Sequence, residues 1–126
     1  MTARAIKDDE YVSQYGSRQT GVPLFWDRPR PQDMDGLSAL LGKLSPAAAR
    51  KRVRRIGTPS SADGVRYARV GDLRSSNFII DHTPWPGNSL HVSVRYRGTW
   101  DNSVADTFEG CFSKPVWHGE LEGGQR

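Results

Sequence analysis

The chain has 126 residues, of which 36% are hydrophobic and 25% charged, a size and composition typical of one soluble globular domain. Its formal net charge is +4 and its single cysteine, Cys111, excludes an internal disulfide and a multi-cysteine zinc site. Because Cys111 lies between two phenylalanines, we expect a buried, inert thiol. No stretch approaches the roughly 18 apolar residues of a membrane span, and no apolar secretory segment opens the chain. We therefore expect no membrane partner, and either a cytoplasmic protein or one delivered into a target cell by a route that the sequence does not display.

Residues 1–32 show little periodicity, and we expect an arm that wraps around the domain. The spacing of Tyr11 and Tyr15 fits either a helical pair or two loose surface aromatics. The apolar Leu24, Phe25 and Trp26 are expected to dock on the core as a short edge strand or an extended anchor.

Two short helices are predicted next. Asp33 or Asp35 is a suitable N-cap for a helix with leucines at i, i+3, i+4 and i+7, which are Leu37, Leu40, Leu41 and Leu44. Ser45 and Pro46 are typical N-cap and first-turn residues for a second helix over residues 47–56, which Gly57 ends. We expect these helices to form a tight αα unit.

A dense basic cluster lies on the second predicted helix. Its members are Arg50, Lys51, Arg52, Arg54 and Arg55. They supply five of the 18 basic residues, so the other 13 nearly balance the 14 acidic ones. The structural alternative is a solvated face near a helix C-terminus, where cations complement the helix dipole. Five cations in six residues exceed that need, and we predict that they bind a polyanion, foremost nucleic acid.

The rest of the chain is predicted to be mainly β-structure. Residues 65–70 alternate as a short strand that runs into a turn at Gly71 and Asp72. Residues 77–100 form a hairpin, residues 101–112 form a strand or a short helix, and residues 120–126 form a flexible tail. The predicted fold is one α+β domain, residues 33–119, with an N-terminal αα unit packed on one face of a three- to four-stranded antiparallel sheet.

The second hairpin strand places several reactive groups in one row. Its apolar positions are Leu90, Val92, Val94 and Tyr96. The alternating polar positions are His91, Ser93, Arg95 and Arg97, which Thr99 extends if the strand continues. An imidazole beside two guanidinium groups suits phosphodiester cleavage, because one moves a proton and the others hold negative charge. The alternative is a solvent-facing strand decorated with polar groups.

Other candidate residues carry weaker signals. We expect His82, beside Asp81, to cap a turn rather than pair with that carboxylate. His118 reaches the sheet only if the end of the chain folds back over it. No metal-ligand spacing and no phosphate-binding glycine motif occurs, so we expect neither a metal nor a nucleotide cofactor. Trp85, between two prolines, is either a platform for a base or a partner protein, or it folds back onto Trp100.

This organisation resembles the small toxin ribonucleases grouped around barnase, EndoU, colicin D and RelE. In these proteins, N-terminal helices precede an antiparallel sheet whose open face carries His, Arg or Lys, and Ser or Thr. The matching segments here are LSALLGKL, AAARKRVRRI, NFIID and HVSVRYRGT, within residues 33–112. This chain departs from the pattern in lacking an obvious strand glutamate as base, since the downstream glutamates are Glu109, Glu120 and Glu122. The resemblance implies metal-independent RNA cleavage through a 2′,3′-cyclic phosphate, and an acidic immunity protein or antitoxin as partner.

We therefore predict a ribonuclease toxin domain. Its predicted catalytic row is His91, Ser93, Arg95, Arg97 and Thr99, and its predicted RNA contacts are the basic cluster and Trp85. Two alternatives remain open: a non-enzymatic nucleic-acid-binding protein that uses the basic helix, and a protein-binding module that uses the Trp85 loop.

Overall fold

The fold is known from a computed structural model that describes residues 3–18, 37–53, 57–84 and 86–119. The strands in these ranges are β1 (Tyr11–Ser17), β2 (Leu37–Leu41), β3 (Asp63–Arg69), β4 (Phe78–His82), β5 (His91–Tyr96) and β6 (Val116–Trp117). The helices are α1 (Pro46–Arg52), α2 (Val70–Ser75) and α3 (Asn102–Gly110). The strands form one antiparallel sheet in the order β4-β5-β2-β1-β3-β6. The predicted α+β class with an antiparallel sheet is confirmed, but the sheet has six strands within the described ranges rather than three or four.

The predicted hairpin is confirmed as β4 and β5. The two strands pair antiparallel, with Ile80 opposite Val94 and Asp81 opposite Ser93. Val92 and Val94 are almost completely buried, as their alternation in the sequence predicts. The strand ends at Tyr96, so its polar row does not continue in strand geometry to Arg97 and Thr99.

The predicted N-terminal αα unit is wrong, because residues 37–41 form β2 and not a helix. Leu41 lies opposite Val12 of β1 and is buried on one face of the sheet, whereas Leu40 is buried on the other. A strand covered on both faces lacks clean polar alternation and reads as a continuous apolar run. Its leucines therefore also match a helical spacing. The proposed caps at Asp33 and Asp35 lie outside the described residues.

The second predicted helix is confirmed as α1. The Ser45 hydroxyl accepts a hydrogen bond from the Ala48 amide at 3.1 Å, and Pro46 occupies the first turn. The helix ends at Arg52 with Val53 as its C-cap, earlier than predicted, so Gly57, whose φ is 98°, is not the residue that stops it. Residues 54–56 lie outside the described ranges.

Part of the predicted N-terminal arm is a central strand. Residues 11–17 form β1, which pairs with β2 on one side and with β3 along its whole length on the other. Tyr11 and Tyr15 are therefore strand residues that share one face of the sheet, neither a helical pair nor loose aromatics. The apolar segment at residues 24–26 lies outside the described residues.

Helices cover the sheet on both faces. On the first face, α2 and α3 contribute to an aromatic core. The centroid of the Phe78 ring lies 5.5 Å from that of Phe108 and 5.7 Å from that of Trp100. The segment after Trp100, left open between strand and helix by the sequence, is helical because the Asp101 carboxylate caps it by accepting from the Val104 amide at 2.9 Å. The expected turn at residues 71–72 is instead part of α2.

On the second face, α1 packs against β1 and β3 over a smaller core formed by Leu40, Ala49 and Val65. The β4–β5 side of this second face carries polar groups instead. Within the described part of the chain, no helix is long and apolar enough to cross a membrane.

Candidate functional site

The second face brings His91 together with three hydroxyl groups. Its Nδ1 lies 2.8 Å from Thr83 Oγ1 and 3.1 Å from the Thr83 carbonyl oxygen, and its Nε2 lies 3.1 Å from Ser38 Oγ. Thr83 Oγ1 is also 3.1 Å from Ser93 Oγ. The ring is half-buried, so it is held by its neighbours yet reachable from solvent.

The pairing of the strands creates this cluster. His91 and Ser93 point to the same side of β5 because they are two residues apart. Ser38 of β2 lies directly opposite Ser93 and diagonal to His91. Thr83 follows β4, and its amide donates to the His91 carbonyl at 3.0 Å. Three separate segments therefore position one imidazole.

A cation and a carboxylate complete this face. The Arg95 guanidinium donates to the Asp81 carboxylate at 2.8 Å, and the two side chains are 44% and 48% exposed. Asp81 is cross-strand neighbour to Ser93, which places it on the same face as His91. An exposed ion pair of this kind contributes little to stability, so an incoming anion competes for Arg95 at modest cost.

The structure places Arg97 and Thr99 outside this cluster. Both are exposed and follow the end of β5, and the Arg97 amide donates to the Asn77 carbonyl at 3.1 Å, beside the start of β4. Of the predicted row, His91, Ser93 and Arg95 lie in β5 and share its second face.

Arg50 does not belong to an exposed basic surface. Its guanidinium donates to both carboxylate oxygens of Asp63 at 2.7 and 2.8 Å, and both side chains are almost completely buried. Burial of Asp63 opposes its ionisation, but hydrogen bonds from Tyr15, the Ser60 amide and Arg50 hold the pKa of that carboxyl below its usual range. Arg50 therefore anchors α1 to the sheet.

Lys51 and Arg52 remain on the surface side of α1. Lys51 is exposed, and the half-buried Arg52 reaches Ser89 in the β4–β5 loop, with Nη1 3.5 Å from the serine oxygen. Neither side chain has a carboxylate partner among the residues that the structure describes. The remaining predicted contacts, Arg54, Arg55 and Trp85, lie outside those residues.

The two other histidines are not at this cluster. His82 Nδ1 accepts from the Arg4 amide at 3.0 Å and its Nε2 donates to the Ser89 carbonyl at 2.7 Å, which fits the predicted role in a turn. The His118 amide donates to the Asp63 carbonyl. This residue lies beside β6, the edge strand at the far end of the sheet from β4 and β5. Among the described residues, no group of His, Cys, Asp and Glu is arranged to hold a metal ion.

The structure also shows the surroundings of Cys111 and Glu109, two residues that the sequence analysis considered. Cys111 is half-buried rather than fully buried, and burial raises the pKa of its thiol, which disfavours the reactive thiolate. Glu109 accepts from Arg66 at 2.8 Å under α3, so its carboxylate is engaged on the first face. Glu120 and Glu122 lie outside the described residues.

Sequence reasoning missed Ser38 and Thr83 as partners of His91 and did not place Asp81 opposite Ser93. The Asp81 position follows from the register of the hairpin, a signal that was available. Ser38 depends on the pairing of β2 with β5, for which the sequence offered a competing helical pattern.

The chain matches no protein-family model, no curated protein and no solved structure.

Proposed function

We propose that this protein cleaves RNA without a metal ion, and that the second face of the sheet is its active site. The observation that carries the proposal is the His91 imidazole, oriented through both ring nitrogens and half-exposed on the same face as Arg95. An oriented imidazole is suited to proton transfer, and a guanidinium is suited to holding a phosphate and its developing negative charge.

The flanking residues support a polyanionic substrate. Arg52 reaches the β4–β5 loop next to the site, and Lys51 and Arg52 add positive charge along α1. Counterion release from RNA phosphates would favour binding there. In this proposal Asp81 holds Arg95 in place until a phosphate competes for it.

The proposed toxin role extends the same argument to a partner. An acidic immunity protein or antitoxin would compete with RNA for Lys51, Arg52 and Arg95, because all three attract anionic groups. The order of elements differs from the helices-then-sheet pattern of the toxin ribonucleases, so support for this role comes from the open sheet face.

A second candidate is non-enzymatic binding of nucleic acid, favoured by the cationic side of α1. The protein-binding alternative depends on Trp85, which lies outside the described residues.

The test compares purified parent, His91→Ala and His118→Ala with total RNA and duplex DNA, each with and without a chelator. We expect RNA cleavage by the parent that survives the chelator. His91→Ala should lower the rate by about 10² to 10⁴, the usual effect of losing a general acid or base. His118→Ala removes a histidine beside β6 and should cut like the parent. Binding without cleavage supports the second candidate, and equal rates for all three proteins reject the site.

A further inference from the structure

We infer that Thr83 fixes the tautomer of His91, with the proton of the neutral ring on Nδ1, so that Nε2 accepts a proton in the reaction. The inference rests on the proposed function and assigns His91 the role of base toward the 2′-hydroxyl of RNA. Thr83 is a positioning residue in this scheme.

The Nδ1 side of the ring decides where the proton lies. Nδ1 is 3.1 Å from the Thr83 carbonyl oxygen, which only accepts hydrogen bonds, so this contact requires a proton on Nδ1. The Thr83 hydroxyl, 2.8 Å from the same nitrogen, shares that proton as a second acceptor. The hydrogen of the Thr83 hydroxyl then points to Ser93 Oγ at 3.1 Å, so the ring and this hydroxyl each donate to an acceptor.

The opposite nitrogen faces a hydroxyl group. With the proton on Nδ1, the lone pair of Nε2 accepts from Ser38 Oγ at 3.1 Å, within the range expected for a general base and its proton donor. Ser38 is exposed on β2, so the position of its hydroxyl marks where a substrate hydroxyl reaches the base. The ribose 2′-hydroxyl is the group of this kind in RNA, and DNA lacks it.

The reaction step balances without a metal or a further reagent. The 2′-hydroxyl proton passes to His91 Nε2 while the 2′-oxygen bonds to phosphorus and the bond from phosphorus to the 5′-oxygen breaks. The departing 5′-oxygen takes a proton from water, and the resulting hydroxide removes the proton from Nε2. The products are a 2′,3′-cyclic phosphate and a free 5′-hydroxyl.

The first test reads the tautomer without any substrate. Nitrogen-15 NMR of the parent, at a pH where the ring is neutral, should show a proton-bearing Nδ1 and an unprotonated Nε2 at His91. The reverse tautomer overturns the inference, because Nε2 would then donate to Ser38. If Nδ1 carries the proton but RNA is not cut, the tautomer assignment stands and the proposed function fails.

The second test uses variants around the ring. Thr83→Val removes one acceptor of the Nδ1 proton and should lower kcat by at least about 10-fold with KM unchanged, since losing an orienting group misplaces the base. Thr83→Ser restores the hydroxyl and should recover the parent rate. Thr107→Val is the matched control and should keep the parent kcat, because it makes the same substitution at an exposed threonine of α3 on the first face.

The substrate gives the final discrimination. RNA carrying 2′-O-methyl groups should bind to the parent but remain whole, because it offers no 2′-hydroxyl proton to Nε2. A parent that cleaves the methylated RNA overturns the assigned role of Nε2.

Discussion

Arg50 and Arg95 form ion pairs of nearly equal length in very different surroundings. The Arg50–Asp63 distance is 2.7 Å with side chains 5% and 0% exposed, whereas the Arg95–Asp81 distance is 2.8 Å with side chains about half exposed. Removing one partner of a buried pair leaves an uncompensated charge in the interior, while an exposed charge returns to water. The same contact is therefore structural in one place and available to a ligand in the other.

Asp63→Asn tests the buried pair. We expect the free energy of unfolding to fall by about 3 to 5 kcal/mol, because Arg50 keeps its charge and loses its counter-ion. Asp81→Asn is the matched control at the exposed pair and should cost at most about 1 kcal/mol. Urea unfolding of the three proteins at neutral pH measures both values. Equal losses would contradict the division between an anchoring and an accessible arginine.

The lowered pKa of Asp63 sets the sign of its pH effect. The Asp63 carboxyl has a lower pKa in the folded chain than in the unfolded chain. Its ionised form therefore stabilises the fold fully at a pH above the ordinary aspartate range. This stabilisation is lost as the pH falls through the lower folded pKa. The free energy of unfolding of Asp63→Asn should therefore fall less steeply with decreasing pH than that of the parent.

At the scale of elements, β2 contributes side chains to two core clusters, one on each face of the sheet. Leu41 faces the aromatic core with Val12 opposite it, and Leu40 faces the smaller core under α1. Neighbouring residues on a strand serve opposite faces, whereas the helix predicted from these leucines would place them on one stripe.

A double-mutant cycle distinguishes these arrangements. Leu41→Ala should cost about 2 to 5 kcal/mol as a large-to-small change in the core. Its effect should be non-additive with Val12→Ala, since the two side chains are direct cross-strand neighbours, and additive with Leu40→Ala within about 0.5 kcal/mol. Denaturant unfolding provides the energies. Strong coupling between Leu40 and Leu41 would instead favour a shared helical face.

The elements that could be predicted from sequence are those with local signals. Ser45 and Pro46 mark the start of α1 through capping chemistry, and the alternation around Val92 and Val94 predicts β5. The failure at β2 has a physical cause, because its partners come from distant segments and cover both faces. The candidate site follows the same rule, since His91 and Arg95 could be placed from alternation, while Ser38 is 53 residues away from His91 along the chain.

At the scale of the whole molecule, the excess positive charge is divided between anchoring and exposed groups. Arg50 is neutralised in the interior, so the described part of the basic cluster presents Lys51 and Arg52. Both lie on α1, which the buried ion pair holds against the second face of the sheet. We therefore expect binding of a polyanion to depend on where positive charge lies and not only on the net charge.

A pair of charge-reversed variants with the same net charge tests this expectation. Lys51→Glu with Arg52→Glu lowers the formal charge from +4 to 0, and so does Lys7→Glu with Lys114→Glu, two exposed lysines in the segments before β1 and β6. With a 2′-O-methyl oligonucleotide as an uncut ligand, the affinity of the first variant should fall. The slope of log affinity against log salt should also become shallower by about 1.4, or roughly 0.7 for each lost single-strand phosphate contact. The control variant should keep most of the parent slope, because its substitutions leave α1 intact. If both variants weaken binding equally, the attraction arises from the overall charge and α1 is not part of the interface.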